Sequence, residues 1–282
     1  MTNYFEKELY INPSLADADG LLSRYETFNI FMDVADDHAG KMGVAWRHIS
    51  PRNLFWLTVK TKIVFEDRPK LGDTVTLATW VEEPTKLRGD RSYEMRQGDK
   101  VLVRGKTEWA VLNTETMKLI PIMEVYPEGL DYSRPASCPE GFTRIKDRFD
   151  AADQYAEYTV RSTDIDIGHH MNNAKYVQAL LGTFSNKELR ELQPKSFDVI
   201  FRNSVYEGDV LNFYKQPGIE GGFDIRVARA SDDMTALLVH MEETENQKKT
   251  PLCPAGFCCV CASLCLRIDL EGGAGHGGGE PP

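Results

Sequence analysis

The same order of predicted elements occurs twice in this chain of 282 residues, and this duplication restricts the fold more than any other feature. Each half has a helix, then a long strand, then a Gly-Asp turn, then further strands. The two turns are Gly72-Asp73 and Gly208-Asp209, and glycine and aspartate both favour turn conformations. A helix followed by antiparallel strands, occurring twice, predicts an α+β architecture in which each helix lies on its own sheet.

Hydrophobic periodicity defines the individual elements. A spacing of three to four residues predicts helices over residues 21–39 and 171–184, and alternation predicts the strands. In the first half the predicted strands cover residues 55–65, 75–81, 93–96 and 101–112. Along the first of these, the residues expected on one face are Leu57, Val59, Thr61, Ile63 and Phe65. In the second half the strands cover residues 155–162, 197–201, 210–214, 223–228 and 235–241.

Residues 164–173 read Asp-Ile-Asp-Ile-Gly-His-His-Met-Asn-Asn and fall where a predicted strand meets a predicted helix. Negative charge is stabilised beside the free N–H groups of a helix N-terminus, and acid–base catalysis needs ionisable groups of this kind. Two other interpretations stay open on the residues alone. One is a structural turn, since Asp, Asn and Gly are common in turns and caps. The other is a metal site, which is disfavoured because the adjacent His169 and His170 point apart.

The two halves differ at this motif. Aligning them sets Asp166–Asn173 against Asp19–Glu26, where an aspartate is present but no His or Asn accompanies it. The second half is therefore predicted to perform chemistry. The first half is predicted to bind an apolar ligand or to complete the sheet.

Charge and composition restrict the partners and the location. The net charge of −10 disfavours nucleic acid as the main partner, because binding phosphate needs a basic surface. An acidic protein would need only a local basic patch, for which residues 144–148 and 88–96 are candidates. No apolar run is long enough to span a membrane and no signal peptide is visible at the N-terminus, so a cytoplasmic location is expected. Cys138, the single cysteine of residues 1–250, suits a reducing compartment.

The C-terminal residues 246–282 have a different composition, with five cysteines and a Gly-rich run. Such a run cannot build a hydrophobic core, so a disordered tail without function is predicted. A zinc site containing Cys258 and Cys261 is the alternative. No metal or cofactor is predicted for the protein.

The pattern Asp164-x-Asp166-x-x-x-His170-x-Asn172-Asn173-x-x-Tyr176 resembles that of the acyl-ACP thioesterases of plants and bacteria, where ACP is the acyl carrier protein. Matches at Gly72-Asp73, Thr79-Trp80 and Trp109 support the resemblance, which covers roughly residues 4–245. It implies the bacterial type of fused double hot-dog protein, with each long helix wrapped by a curved antiparallel sheet. The implied domains are a substrate-binding N-terminal hot-dog with a degenerate site (residues 1–123), a linker (124–152) and a catalytic C-terminal hot-dog (153–245).

The resemblance also implies site residues. In this family the second half supplies an Asp, an Asn and a His, and a later strand adds a Glu followed by a Cys. Asp166 matches the Asp and His170 matches the His, whereas Gly168 stands at the Asn position. The Glu position falls near Ser204 and the Cys position near Val205, so a cysteine nucleophile is not expected.

The implied reaction is hydrolysis of fatty acyl-ACP, which releases free fatty acid and ends chain elongation. We expect Asp166 to act as the base or as a carboxylate nucleophile, and His170 to orient the water or polarise the thioester. N–H groups near Gly168 and the start of the helix are expected to stabilise the oxyanion. Asn172 and Asn173 are expected to cap and brace the turn, and His169 is a candidate substitute for the missing Asn.

Other functions stay open. An acyl-CoA thioesterase would use the same fold and chemistry and differ only in its docking surface. A non-catalytic acyl-binding protein would account for the missing Asn and Glu. The expected partner is ACP carrying a fatty acyl chain, and both a monomer and a homodimer are compatible with the sequence.

Overall fold

The computed structural model of the protein describes residues 3–219 and 221–243. The predicted C-terminal tail, with its alternative zinc site at Cys258 and Cys261, lies outside the described residues. Within them, no helix has the length and apolar character needed to cross a membrane.

The elements follow the predicted order in both halves. The first half contains β1 (Phe5–Tyr10), α1 (Arg24–Lys41), α2 (Trp46–Ile49), β2 (Leu54–Phe65), β3 (Thr74–Val81), β4 (Gly89–Gln97), β5 (Lys100–Asn113) and β6 (Lys118–Ile120). The second half contains β7 (Gln154–Thr159), α3 (Asn173–Leu181), α4 (Asn186–Leu192), β8 (Pro194–Phe201), β9 (Val210–Pro217), β10 (Phe223–Arg229) and β11 (Met234–Glu243). The predicted α+β architecture is confirmed.

One continuous antiparallel sheet joins the two halves. Its strand order is β1-β3-β4-β5-β2-β8-β11-β10-β9-β7, with β6 paired to β5. The two halves meet where β2 pairs with β8, and there Lys62 lies opposite Asp198. The Lys62 Nζ is 2.8 Å from the Asp198 Oδ2, and both side chains are buried. The hydroxyl of Thr143 also donates to this carboxylate oxygen at 2.8 Å.

The faces of β2 differ from the prediction because the strand contains a β-bulge. Thr58 pairs with Trp109 and Lys60 with Glu108, so Val59 is skipped in the ladder. A bulge reverses the alternation of side chains beyond it. Leu57 therefore lies on the opposite face from Ile63, and the single face predicted from alternation is wrong.

The second long helix is shorter than predicted. Asn172 caps α3 by accepting from the Ala174 N–H, and the helix ends before Gly182. Ser185 then starts a separate helix, α4, through a capping box with Glu188. Hydrophobic spacing predicted one helix over residues 171–184, whereas the helix starts after the Asn172 cap and ends at Leu181.

Both long helices pack against the sheet in one hydrophobic core. On α1, Phe31 stacks on Tyr93 of β4, with ring centroids 4.8 Å apart and planes at 8°. Gly105 of β5 lies directly under the Phe31 ring, where a Cβ would collide with it. A glycine at this position lets the helix approach the sheet closely.

The proline-rich segment after β6 packs against the first half. No helix or strand occurs between residues 125 and 150, all of which are described. Val125, Tyr126 and Leu130 nevertheless belong to a second buried cluster, which also contains Ile122 and residues near the end of α1. Cys138 is fully buried as a free thiol. The domain boundaries given above stay a prediction.

The duplication extends to individual hydrogen bonds in the turns that precede α1 and α3. The Asp17 N–H donates to the carbonyl of Leu21 at 2.8 Å, and the Asp166 N–H donates to the carbonyl of His170 at 3.0 Å. Asp166 therefore corresponds to Asp17, and the alignment with Asp19 is wrong by two residues. Residue type alone could not choose between two nearby aspartates, whereas the hydrogen bonds do.

Candidate active site

Asp166 opens a tight turn that leads directly into α3. The turn is closed by the Asp166 N–H bond to His170 and by the His169 N–H, which donates to the Asp166 carbonyl at 3.0 Å. His169 adopts the left-handed conformation, with φ of 60°. An isolated bridge between Ile165 and Met171 fixes the base of the turn. The turn holds Asp166 and His170 on the same side of the helix entrance.

The Asp166 carboxylate is held at two points. Its Oδ1 accepts from the Gly168 N–H at 2.8 Å, and its Oδ2 lies 3.4 Å from the Asn172 side-chain nitrogen. The His170 Nδ1 is 3.9 Å from Oδ1 and 3.2 Å from the Met171 carbonyl. Both the Asp166 and the His170 side chains are about one-quarter exposed, so water can reach them.

Gly168 is required for space. A Cβ on this residue would lie 2.8 Å from the His170 Nε2 and 3.0 Å from the Asp166 Oδ1. Its N–H donates to the Asp166 Oδ1, so Gly168 helps to position the carboxylate and leaves room for the imidazole. That N–H groups near Gly168 and the start of the helix stabilise the oxyanion stays a prediction.

The two asparagines have different positions. Asn172 caps α3, as expected, through the Ala174 N–H at 2.9 Å. Asn173 is the first helical residue and its side chain lines the cleft in front of Asp166, a place that the sequence motif did not reveal. The N–H groups of a first helical turn have no partner within the helix. His169 is exposed and does not line the cleft, so it does not occupy the place of the missing Asn.

A cleft of about 610 Å³ brings Asp166, His170 and Ser204 together. Its walls come from α1, β2, the turn, α3 and the residues after β8. Ser204 is held there by its neighbour, because the Val205 N–H donates to the buried Tyr176 hydroxyl at 3.2 Å. No group of three or more His, Cys, Asp or Glu residues in the described ranges could hold a metal ion.

Ser204 corresponds to Arg68 of the first half. In the second half, the Met171 N–H donates to the carbonyl of Val205, the residue after Ser204. In the first half, the Leu22 N–H donates in the same way to the carbonyl of Pro69, the residue after Arg68. Arg68 forms an ion pair with the Asp17 carboxylate. A side chain at this position can therefore reach the turn aspartate of its own half.

This correspondence explains why, of the two turn aspartates, only Asp166 has no arginine partner among the described residues. The arginine of the first half neutralises its aspartate, whereas serine leaves Asp166 without a permanent cation. Among the described residues, the one ion-pair contact of Asp166 is with His170 at 3.9 Å. The predicted asymmetry of the two halves thus has a direct structural basis in the Arg68 and Ser204 positions.

An apolar pocket of about 150 Å³, lined mainly by residues of the first half, adjoins the cleft. This pocket lies between α1, residues 44–46 and the sheet. The residues that line both the cleft and the pocket are Met32, Phe55, Trp56, Trp109 and Ile167. A chain of methylene groups could therefore extend from Asp166 towards the interior of the first half.

Two helix-on-sheet units fused in one chain, with a carboxylate site in the second unit, define the double hot-dog class of proteins. Family models agree with this: an acyl-ACP thioesterase N-terminal domain matches residues 2–130, and an acyl-ACP thioesterase C-terminal domain matches residues 148–250. The chain belongs to the acyl-ACP thioesterase family, as its motif indicated.

Individual relatives are distant. A chloroplast acyl-[acyl-carrier-protein] hydrolase from Cuphea viscosissima is 26% identical over 71% of this chain and 55% of its own length. A dodecanoyl-[acyl-carrier-protein] hydrolase from Cinnamomum camphora is 24% identical over 73% of this chain and 58% of its own length. The chain thus spans little more than half the length of these curated relatives.

Solved structures show the same fold. An acyl-ACP thioesterase from Bacteroides thetaiotaomicron superposes with a TM-score of 0.72 at 22% identity, over 85% of this chain and 97% of its own. The 12:0-ACP thioesterase from Umbellularia californica gives a TM-score of 0.72 at 19% identity, over 85% and 96%. The predicted double hot-dog fold is confirmed.

Proposed function

We propose that this protein hydrolyses the thioester of fatty acyl-ACP, releasing free fatty acid and ending chain elongation. One observation carries the proposal: Asp166 lines a water-accessible cleft, and an apolar pocket beneath α1 adjoins this cleft and shares five lining residues with it. Such a combination suits a substrate with a reactive carbonyl at one end and an apolar chain behind it. Membership of the acyl-ACP thioesterase family supports the same substrate.

In the proposed reaction, Asp166 takes a proton from water as the water oxygen attacks the thioester carbonyl. The Oδ2 atom suits this role because its contact with Asn172, at 3.4 Å, is longer than that of Oδ1 with the Gly168 N–H. The tetrahedral intermediate then collapses, the C–S bond breaks, and the departing thiolate takes up the proton that Asp166 removed from water. Direct attack by the carboxylate, followed by hydrolysis of the anhydride, uses the same geometry.

We assign His170, which lies beside Asp166 in the same cleft, to orienting the water or polarising the thioester. Asn173 is proposed as the oxyanion donor, through its backbone N–H at the start of α3 and its side-chain amide in the cleft. One well-placed donor of this kind is worth about 3 kcal/mol in the transition state. Ser204 is proposed to line the entrance and to contribute less than Asp166.

The carrier is proposed to dock beside the cleft on exposed basic residues. Arg202 lines the cleft, and it also lines an adjoining groove together with Arg144 and Lys60. Arg144 and Arg202 form no ion pair with any residue of the described ranges, whereas Lys60 pairs with Glu108. Replacing both arginines with glutamate should raise the KM for acyl-ACP and leave that for acyl-pantetheine, which lacks the protein, unchanged.

The function is tested with purified protein and a panel of acyl-ACPs from short to long chains, with the released acids identified by mass spectrometry. Asp166→Asn should lower turnover by at least about a hundredfold, because an amide cannot accept the proton. Its Oδ1 can still accept from Gly168, so thermal unfolding should be unchanged. The matched control is Asp17→Asn, which alters the equivalent turn in the first half and should retain turnover. Full activity in Asp166→Asn would refute the assignment.

The same panel addresses the alternatives. Faster hydrolysis of acyl-CoA than of acyl-ACP at one chain length would identify an acyl-CoA thioesterase. The glycine and serine at the family's Asn and Glu positions favour a non-catalytic acyl-binding protein as the second candidate. Retention of acyl-ACP without release of free acid would support that candidate and contradict hydrolysis.

A cytoplasmic location is part of the proposal, supported by the buried free thiol of Cys138, which suits a reducing compartment.

A monomer and a homodimer are both compatible with the fold. The pairing of β2 with β8 supplies, within one chain, a contact between hot-dog units. Size-exclusion chromatography with light scattering would decide between the two states.

A further inference from the structure

The apolar pocket of the first half contains one buried charge. Arg91 lies on β4 on the same face as Tyr93, beneath α1, and lines the pocket with only 4% of its surface exposed. Most other lining side chains are apolar or aromatic. A cation in such a place needs a partner, because burying an unpaired charge is strongly unfavourable.

The protein supplies Arg91 with neutral partners. One guanidinium nitrogen, Nη1, donates to the His38 Nδ1 at 2.9 Å and to the Thr79 hydroxyl at 3.3 Å. Because a guanidinium can only donate, the His38 Nδ1 must be an acceptor and therefore carries no proton. Within residues 3–219 and 221–243, Nη2 and Nε of Arg91 make no hydrogen bond, and no carboxylate forms an ion pair with it.

The nearby carboxylates are engaged or remote. Asp90 precedes Arg91 on β4 but forms an ion pair with Lys106 at 2.7 Å. Asp36 lines the same pocket from α1, but its side chain is exposed to solvent and it is not within ion-pair distance of Arg91. Among the described residues, therefore, none balances the positive charge of Arg91.

A second donor lies in the same pocket. Tyr126 is buried, and its hydroxyl makes no hydrogen bond with the described part of the chain. Burial raises the pKa of Tyr126 to about 12, and the charge of Arg91 opposes this rise. The hydroxyl thus stays protonated and can donate. Trp109, which lines the same pocket, also has a buried Nε1 without a hydrogen-bond partner among the described residues. A pocket lined by residues with unused donors, and by no buried carboxylate of the described chain, is complementary to an anionic oxygen.

The pocket adjoins the proposed catalytic cleft and shares lining residues with it. Trp56 and Trp109, whose rings meet edge to face at 6.2 Å, line both spaces. An acyl chain with its thioester at Asp166 would run past these rings, and its far end would point towards Arg91. Arg91 can therefore discriminate between acyl chains by the chemical group at that end.

We propose that the preferred acyl group carries a carboxylate at the end remote from the thioester, and that Arg91 is the specificity-determining residue. This inference rests on the proposed thioester hydrolysis. The remote carboxylate would accept from the Nη2 and Nε of Arg91 and from the Tyr126 hydroxyl, balancing the buried charge. A methyl-terminated chain of the same length would leave the guanidinium dehydrated and unpaired.

The test compares kcat/KM for pairs of acyl-ACPs of equal length that end in a methyl group or in a carboxylate. The wild-type protein should prefer the carboxylate member at the length that reaches the pocket. In Arg91→Met the carboxylate-to-methyl ratio should fall by about tenfold to a hundredfold, as expected for loss of a charged hydrogen bond. Arg96→Met is the matched control, because Arg96 lies on the same strand but pairs with Glu6 outside the pocket. Its ratio should equal that of the wild type.

A second measurement separates this inference from the hydrolysis itself. Free dicarboxylic acids should raise the thermal unfolding temperature of the wild-type protein more than monocarboxylic acids of equal length, and Arg91→Met should abolish the difference. If Arg91→Met does not fold, Tyr126→Phe should show the same change to a smaller degree. A preference for methyl-terminated chains that Arg91→Met leaves unaltered would overturn the inference while leaving the hydrolysis intact. Absence of all thioester hydrolysis would refute the proposed function, and the unfolding temperatures would still decide the role of Arg91.

Discussion

Replacing Gly168 with alanine tests whether the position of His170 matters for turnover. The added Cβ would lie 2.8 Å from the His170 Nε2, whereas ordinary contacts begin near 3.4 Å. The imidazole must therefore move by about 0.6 Å, the difference between these two distances. Since a misplacement of about 1 Å can cost about a hundredfold in rate, we expect kcat to fall about tenfold.

The same substitution should have little effect on stability. Gly168 is not among the residues with positive φ, so alanine fits the backbone without strain. The two side chains that it would contact are about one-quarter exposed and can rotate towards solvent. We expect the free energy of unfolding to change by no more than about 0.5 kcal/mol. Turnover with saturating acyl-ACP and chemical denaturation measure the two quantities separately.

Gly40→Ala is the matched control. A Cβ on Gly40 would approach only the far end of the Arg47 side chain, 2.9 Å from Nη2, and this exposed arginine can move away. Alanine within α1 should raise the helix stability by up to about 1 kcal/mol without changing kcat. If a folded Gly168→Ala protein kept the wild-type kcat, the imidazole would not need its observed position, and the role assigned to His170 would be refuted.

Three further changes follow from the same contacts. Ser204→Arg should reproduce in the second half the ion pair that Arg68 forms with Asp17. The added cation should lower the basicity of Asp166 and reduce kcat about tenfold or more. Ser204→Ala, the control, should retain most turnover. Asp198→Ala should leave the ammonium of Lys62 buried without a carboxylate and lower the free energy of unfolding by about 3–5 kcal/mol, and wild-type stability in urea denaturation would contradict this. Burial raises the pKa of the Cys138 thiol to about 11, so alkylation followed by peptide mapping should find it unreactive in the folded protein and reactive in urea. The pKa of this thiol is higher in the folded protein than in the unfolded protein. The free energy of unfolding should therefore decrease as the pH rises from about 9 to about 11.

Much of the fold was accessible from the sequence because its signals are local. The turn at Gly72 requires a positive φ, observed at 92°, and the turn at Gly208 requires the same, observed at 88°. Glycine adopts such values without strain, so both turns could be placed from residue type. The Asn172 cap was accessible for the same reason, because its hydrogen bond reaches only two residues along the chain.

Two of the differences from expectation depend on contacts between distant segments. The bulge at Val59 exists only in the pairing of β2 with β5, so alternation within β2 could not reveal it. The ion pair of Arg68 with Asp17 joins residues that lie far apart in sequence. No pattern near Asp17 therefore indicated that its carboxylate is already paired.

The sequence by itself determined the duplicated α+β plan, the family and the turn that carries Asp166 and His170, because periodicity, turn residues and a compact motif are read along one stretch of chain. Only the tertiary structure decided what faces that turn. Pairing of β2 with β8 and packing of α1 on the sheet bring Trp56, Trp109 and Arg91 into the space behind Asp166. Those residues come from separate strands, and burial in a shared core, which no local pattern records, makes them neighbours.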